Sequence, residues 1–260
     1  MPPDEGPIIE VTDLVAGYGD RVVLEDVNFE VHRGERLVIC GGSGCGKTTV
    51  LRHVIGLTPP LAGTVRIEGV DVWEADEATR SRLQNRFGVS FQSGALFGSL
   101  TLGENVALPL QEHTDLPAAM IDSLVRMKLS LVNLDGYQDF MIAELSGGMK
   151  KRAALARAVA LDPKIVFFDE PSAGLDPVTS VELDELIVQI SESLQMTIVA
   201  VSHELASIFT IADRVLMLDA GAKTVIAEGR PDELRDDHPD QRVHAFFNRE
   251  PARRRSEGAI

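Results

Sequence analysis

The chain has 260 residues, 44% hydrophobic and 25% charged, a balance that suits a soluble domain with a sizeable buried core. Its formal net charge of -15 argues against a nucleic-acid partner, whose affinity comes mostly from cations set along phosphates, and opposes direct adsorption to an anionic membrane. No apolar run approaches a membrane-spanning length, and residues 1–10 carry acids and prolines without the basic start of a secretory signal.

In chain order, residues 8–15 and 22–31 are predicted as two strands joined by a glycine-containing turn at 16–20. A short apolar strand at 36–40 runs into the glycine-rich segment 41–48, and a helix is expected from Lys47 to Ile55, stopped by Gly56, Pro59 and Pro60. Strands follow at 64–68 and 87–91. From Gly103 to Glu144 the pattern turns helical, marked by Leu124, Met127, Leu131 and Leu134, and predicts a helical subdomain inserted in an α/β core. The core resumes with a helix at 147–161, a strand at 164–168, a helix at 178–194, a strand at 197–201, a helix at 206–212, and strands near 215–218 and 224–228. Strands alternating with helices predict a mostly parallel sheet covered on both faces.

Gly41-Gly42-Ser43-Gly44-Cys45-Gly46-Lys47-Thr48 fits the phosphate-cradle pattern G-x-x-x-x-G-K-[ST], and Thr49 continues it into the helix. Glycines let backbone N–H groups converge on a triphosphate, and the helix start adds partial positive charge. Lys47 is suited to the β and γ phosphates of ATP, and the Thr48 hydroxyl to Mg²⁺. Cys40 and Cys45 read as small reduced residues beside this loop; an oxidation-sensitive Cys45 near a lysine is the sharper alternative. Residues 165–168 form an apolar strand ending in Asp169-Glu170. Asp169 is expected to hold Mg²⁺ through water, and Glu170 to take a proton from the attacking water. His203, just past the 197–201 strand, is placed to orient that water or to contact the γ-phosphate.

Glu144-Leu145-Ser146-Gly147-Gly148-Met149 resembles the signature of ABC ATPases, and residues 8 to about 233 resemble that family in order. The resemblance implies an α/β P-loop NTPase with an N-terminal antiparallel β subdomain and a helical insertion at about 103–144. The ATP-binding domain would span 8–237, followed by a tail at 238–260. It further implies that Tyr18 stacks on adenine, that Gln92 senses Mg²⁺ and the attacking water, that Asp176 belongs to the D-loop, and that His203 is the switch histidine. Ser146, Gly147 and Gly148, opening a helix, would form a second anion site offered to ATP held by a partner copy in a head-to-tail homodimer. Met149 departs from the usual glutamine, which puts side-chain contacts at that position in question but leaves the backbone donors.

Residues 91–97 and 100–106, together with Met149, look like MlaF-type ATPases. That resemblance implies an ATP-hydrolysing subunit on the cytoplasmic face of the inner membrane, held there through a MlaE-like permease. An MCE-domain protein and, in many bacteria, a small STAS-domain subunit would complete the complex, with phospholipid movement linked to outer-membrane lipid asymmetry. The alternatives are the ATPase of another ABC importer or exporter, and a non-transport ABC ATPase acting on DNA or ribosomes, which the acidic charge disfavours. Two segments carry further expectations. Residues 95–100 are either ordinary core or, by the resemblance, part of a groove receiving a permease helix. Val243, Phe246 and Phe247 fall at helical spacing and predict a short amphipathic piece docking on a neighbour, against the plainer reading of 238–260 as a solvated end.

Overall fold

The structure is a computed structural model and describes residues 6–250. Its centre is a sheet of six strands in the order β10-β9-β3-β8-β7-β6, comprising β3 (Arg36–Gly41), β6 (Phe87–Ser90), β7 (Ile165–Asp169), β8 (Thr197–Val201), β9 (Arg214–Asp219) and β10 (Thr224–Gly229). All neighbours are parallel except β10, which runs antiparallel to β9. β7 and β8 are buried at every position, as an apolar run covered on both sides requires. Their side chains alternate between two cores: Phe167 and Val199 join one, Phe168 and Ala200 the other.

The first core is shared with a second, antiparallel sheet ordered β2-β1-β4-β5, from β1 (Ile9–Tyr18), β2 (Arg21–Val31), β4 (Ala62–Ile67) and β5 (Val70–Asp71), and with α1 (Lys47–Val54). β1 runs on to Tyr18, through the stretch expected as a turn. Register shifts along its pairing with β2 keep Leu14, Ala16 and Leu24 buried. α2 (Glu77–Gln84) has no counterpart among the predicted elements. It buries only Leu83, so no apolar period announces it, and its start rests on the Asp76 side chain accepting from the Thr79 N–H at 2.7 Å.

The opposite face carries α5 (Gly147–Ala158), α6 (Pro177–Leu194) and α7 (Leu205–Ile211). α5 stops short of the expected Leu161. The chain turns at Asp162, with φ 50°, just ahead of Pro163. The helical insertion is α3 (Leu102–His113) and α4 (Ala118–Leu131), followed by a 3₁₀ turn at Ile142–Glu144. Thr101 and Glu104 cap α3 reciprocally. The buried stripe of α4 is Ile121, Val125 and Leu129; of the residues that marked the pattern, Leu124 and Leu131 pack partly buried at its side and Leu134 is buried beyond the helix, whereas Met127 is 52% exposed. Lys128 is buried and reaches Asp162, tying the insertion to the core.

α8 (Pro231–Asp236) and α9 (Gln241–Phe247) close the described chain. Val243 and Phe247 are buried in this chain's own core, and the Phe247 ring meets Phe209 of α7 edge-on at 6.1 Å. The periodicity of the tail is therefore satisfied internally at these two positions, correcting the expectation that Val243 and Phe247 wait for a neighbour. Phe246 is half-buried, and residues 251–260 of that tail lie outside the described residues.

Candidate functional site

The C-terminal ends of the parallel strands align. Gly41 pairs with Leu218, Asp169 with Val201, and the Ser202 N–H donates to Ile39 O at 3.1 Å. In open α/β sheets this rim is where ligands bind. The loop after β3 becomes α1 through Gly46, whose φ of 107° and close packing leave no room for a side chain: a Cβ there would lie 2.7 Å from Leu24 Cδ1. Lys47 is buried, and its Nζ donates to Gly41 O and Gly42 O, both at 3.1 Å. Among the described residues its hydrogen bonds go to these backbone carbonyls, so an anion entering the cradle gains a partner already fixed in place.

The Thr48 hydroxyl donates to Asp169 Oδ1 at 2.9 Å, across from β7. The two groups form a hard oxygen pair that fits Mg²⁺, a cation that takes one or two protein ligands beside phosphates and water. Burial pushes the Asp169 carboxyl above the usual range. The Thr48 hydroxyl pulls it back, Glu170 adds to the rise, and Arg52 and Lys47 oppose it.

Glu170 turns the chain away from β7 in a left-handed conformation, φ 53°, which costs roughly 1–2 kcal/mol. Its N–H is held by Val201 O at 2.9 Å, and its Oε1 lies 2.8 Å from His203 Nδ1. Because a carboxylate only accepts, Nδ1 carries the proton and Nε2 is left for the cleft.

Tyr18, Ser43, Gly44, Gly46, Lys47, Thr48, Thr49, Gln92, Glu170 and His203 line one cleft of about 470 Å³, with Arg21 and Val23 completing its wall. Residues separated by almost two hundred positions thus converge on one cleft. Tyr18 is anchored by its hydroxyl, 3.0 Å from Thr49 Oγ1, and by Gly17, whose N–H donates to His53 Nε2 at 3.2 Å. His53 is fully buried, which lowers its pKa, and its Nδ1–H meets Thr58 O at 2.7 Å. Arg21, Lys151 and His53 were not among the residues singled out from the sequence, and only Arg21, three residues from Tyr18, had a positional signal. Cys45 is buried and its thiol is pushed up, with burial the main cause, so the sharper reading of a reactive thiol has no basis.

Ser146, Gly147, Gly148 and Asp176 stand outside this cleft in the same chain. Ser146 caps α5 by accepting from the Met149 N–H at 3.3 Å, and it is exposed with Gly147. Asp176 caps α6, accepting from the Val178 and Thr179 N–H groups at 3.2 and 3.1 Å. The two tips adjoin: a Cβ on Gly148 would lie 2.7 Å from Thr179 Cγ2. Met149, the departure from glutamine, packs partly buried against the core, while Gly147 stays exposed at the helix start. In the 95–100 segment, Leu96 packs inward and Phe97 is 51% exposed. Asn105, fully buried, shapes that loop by accepting from the Phe97 N–H at 2.8 Å and donating to Phe97 O at 3.1 Å.

A nucleotide cradle, a Thr–Asp oxygen pair, a Glu–His pair and an exposed second glycine-led helix start define an ATP-hydrolysing cassette. Residues 24–173 match the family described as ABC transporter, and the chain belongs to that family. It is 40% identical over 243 residues, 94% of this chain and 91% of the relative, to the Intermembrane phospholipid transport system ATP-binding protein MlaF of Haemophilus influenzae. It is 42% identical over 213 residues to the Probable ribonucleotide transport ATP-binding protein mkl of Mycobacterium leprae, covering 82% of this chain and 61% of that one. Among solved structures, the dimeric post-hydrolysis state of the ATP-binding cassette MJ0796 bound to ADP and Pi superposes with a TM-score of 0.76 at 27% identity, covering 85% of this chain and 98% of that one. The chain is an ABC-family ATPase, related to MlaF. Among the described residues no helix is long and apolar enough to cross a membrane.

Proposed function

We propose that two copies of this chain close head to tail around ATP and Mg²⁺ and so drive a separate permease that moves phospholipid. The observation that carries the paired arrangement is that the cradle is complete within one chain while the Ser146–Gly148 helix start stands exposed and apart from it. Lys47 and the loop N–H groups hold the phosphates, and Tyr18 supports adenine. Glu170 accepts the proton of the attacking water, His203 and Gln92 orient it, and the partner copy's signature caps the γ-phosphate. Thr48, and Asp169 through water, with Gln92 nearby, would hold Mg²⁺, which would supply charge neutralisation for the phosphates. The dimeric MJ0796 cassette with ADP and Pi supports the pairing.

Phospholipid as cargo follows the MlaF relative, whose alignment covers nearly all of both chains. On this reading the chain sits on the cytoplasmic face of the inner membrane through a MlaE-like permease, with an MCE-domain protein and a STAS-domain subunit as further partners, serving outer-membrane lipid asymmetry. The mkl relative favours a second reading, the same cassette on a permease for another solute. Extraction in mild detergent, followed by reconstitution of the co-purified complex with a fluorescent phospholipid, separates them. ATP-dependent lipid transfer that Glu170→Gln abolishes is expected; ATP-stimulated movement of a nucleotide with no lipid transfer would support the second reading. Phe97, the exposed member of the 95–100 loop, is the contact to probe: Phe97→Asp is expected to leave melting unchanged and to lose the permease in a pull-down, and retained permease would remove this loop from the interface.

A further inference from the structure

Lys151 lies on α5, roughly a turn and a half beyond Ser146. Its half-buried Nζ donates to two backbone carbonyls from different catalytic loops: Gln92 O at 2.6 Å and Glu170 O at 3.2 Å. The Glu170 peptide is thereby held on both sides, its N–H by β8 and its carbonyl by Lys151, with the Ala173 N–H a further donor to that carbonyl at 3.3 Å. The left-handed turn at Glu170 is a conformation that persists only where its surroundings hold it. Further along the same helix, Arg157 donates to Ala95 O and Gly94 O at 2.8 and 2.9 Å, so the loop after Gln92 is tied to α5 a second time. A point cation serves two carbonyls that diverge in direction, because its donors rotate freely about the Cε–Nζ bond.

We propose that Lys151 is a positioning residue that locks the Gln92 loop and the Glu170 turn to the helix headed by Ser146. Nucleotide from a second copy, seated on Ser146, then sets the aim of this chain's own hydrolytic carboxylate, and the two composite sites are coupled through one side chain. The inference rests on the paired reading proposed above. It goes beyond that reading in naming the residue that carries the signal within each chain.

The test uses the full-length chain with ATP and Mg²⁺, comparing Lys151→Met and Lys151→Arg with the wild type in kcat, KM, equilibrium binding of a fluorescent ATP analogue, and melting temperature. Lys151→Met is expected to lower kcat about 10- to 100-fold, the cost of a misaimed group, with nucleotide affinity held within roughly twofold. Lys151→Arg, keeping a cation there, is expected to recover most of the rate. A Lys151→Met kcat at the wild-type level overturns the proposal. So does a joint fall of kcat, affinity and melting temperature, which marks a merely structural role, and so does a Lys151→Arg no faster than Lys151→Met. Glu170→Gln run alongside separates the two failures: if it hydrolyses ATP normally the underlying reading falls, whereas if it is inert while Lys151→Met is unimpaired only this inference falls.

Discussion

The chain contains two glycine-led helix starts, at α1 and at α5, and they are finished differently. At α1 the cradle is closed by its own chain: Lys47 is buried, Thr48 meets Asp169, and Glu170 and His203 pair above it. At α5 the Ser146 hydroxyl accepts from its own helix, Gly147 is exposed, and the neighbours are Leu175, just before α6, and Thr179 in its first turn. Both ends concentrate backbone N–H groups and partial positive charge, so both can bind an anion. On the paired reading proposed above, the first is a finished site that holds the chemistry and the second is half of a site, completed by another copy.

The largest expected effect breaks the finished site. Glu170→Gln is expected to lower kcat by about 10²–10⁴-fold, the range for removing a general base, with ATP still bound. Steady-state hydrolysis and equilibrium nucleotide binding check it. Lys47→Ala is expected to act on binding itself, weakening ATP by roughly 10- to 100-fold for the lost charge-assisted bonds, as read by titration calorimetry. Together the pair separates holding the nucleotide from cleaving it, both within the cradle.

The cradle was legible because its parts are written in short, dense runs: eight residues at 41–48, an apolar strand closed by Asp169-Glu170, and a histidine past the next apolar strand. The rim of a parallel sheet then does the rest, since strands in register must end together. The core strands and the helical insertion were legible for the same reason, through apolar runs and periods. What escaped lacks such runs. α2 buries a single leucine, and its start depends on one carboxylate. His53 and Lys151 act through backbone groups of distant loops, a relation with no sequence period. The α9 rings were recognised as an apolar face, but periodicity marks a face without naming the surface that covers it, and here this chain's own α7 does so.

A smaller effect is expected at the seam between the two regions. Asp184 of α6 is buried beside Ser172, which follows Pro171 in the turn after Glu170, and Ser207 of α7; those hydroxyls lie 2.8 Å apart. Neither Asp184 oxygen has a well-formed hydrogen-bond partner among the described residues, although both hydroxyls favour its charged form. Burial prevails, Glu204 adds to the rise, and the carboxyl is pushed up to about 6. A carboxyl whose folded pKa is raised binds protons more readily folded than unfolded. Its contribution to stability therefore falls as pH rises from near 4 through 6, and the penalty is complete above that. Asp184→Asn is expected to remove that pH dependence and to raise stability at pH 7.5 by roughly 1–3 kcal/mol. Denaturant melts at pH 5 and 7.5 measure it, and an Asn variant less stable than wild type at pH 7.5 would show the charge to be favourable there.

The central claim is that the half-finished site of one copy completes the finished site of another. Its most direct test is the solution mass of Glu170→Gln with saturating ATP and Mg²⁺, by light scattering, with and without Ser146→Arg in the same chain. A mass twice that of one chain, reverting to one chain when Ser146 is replaced while nucleotide remains bound, is the expected result. A single-chain mass throughout, or a dimer indifferent to Ser146, would contradict it.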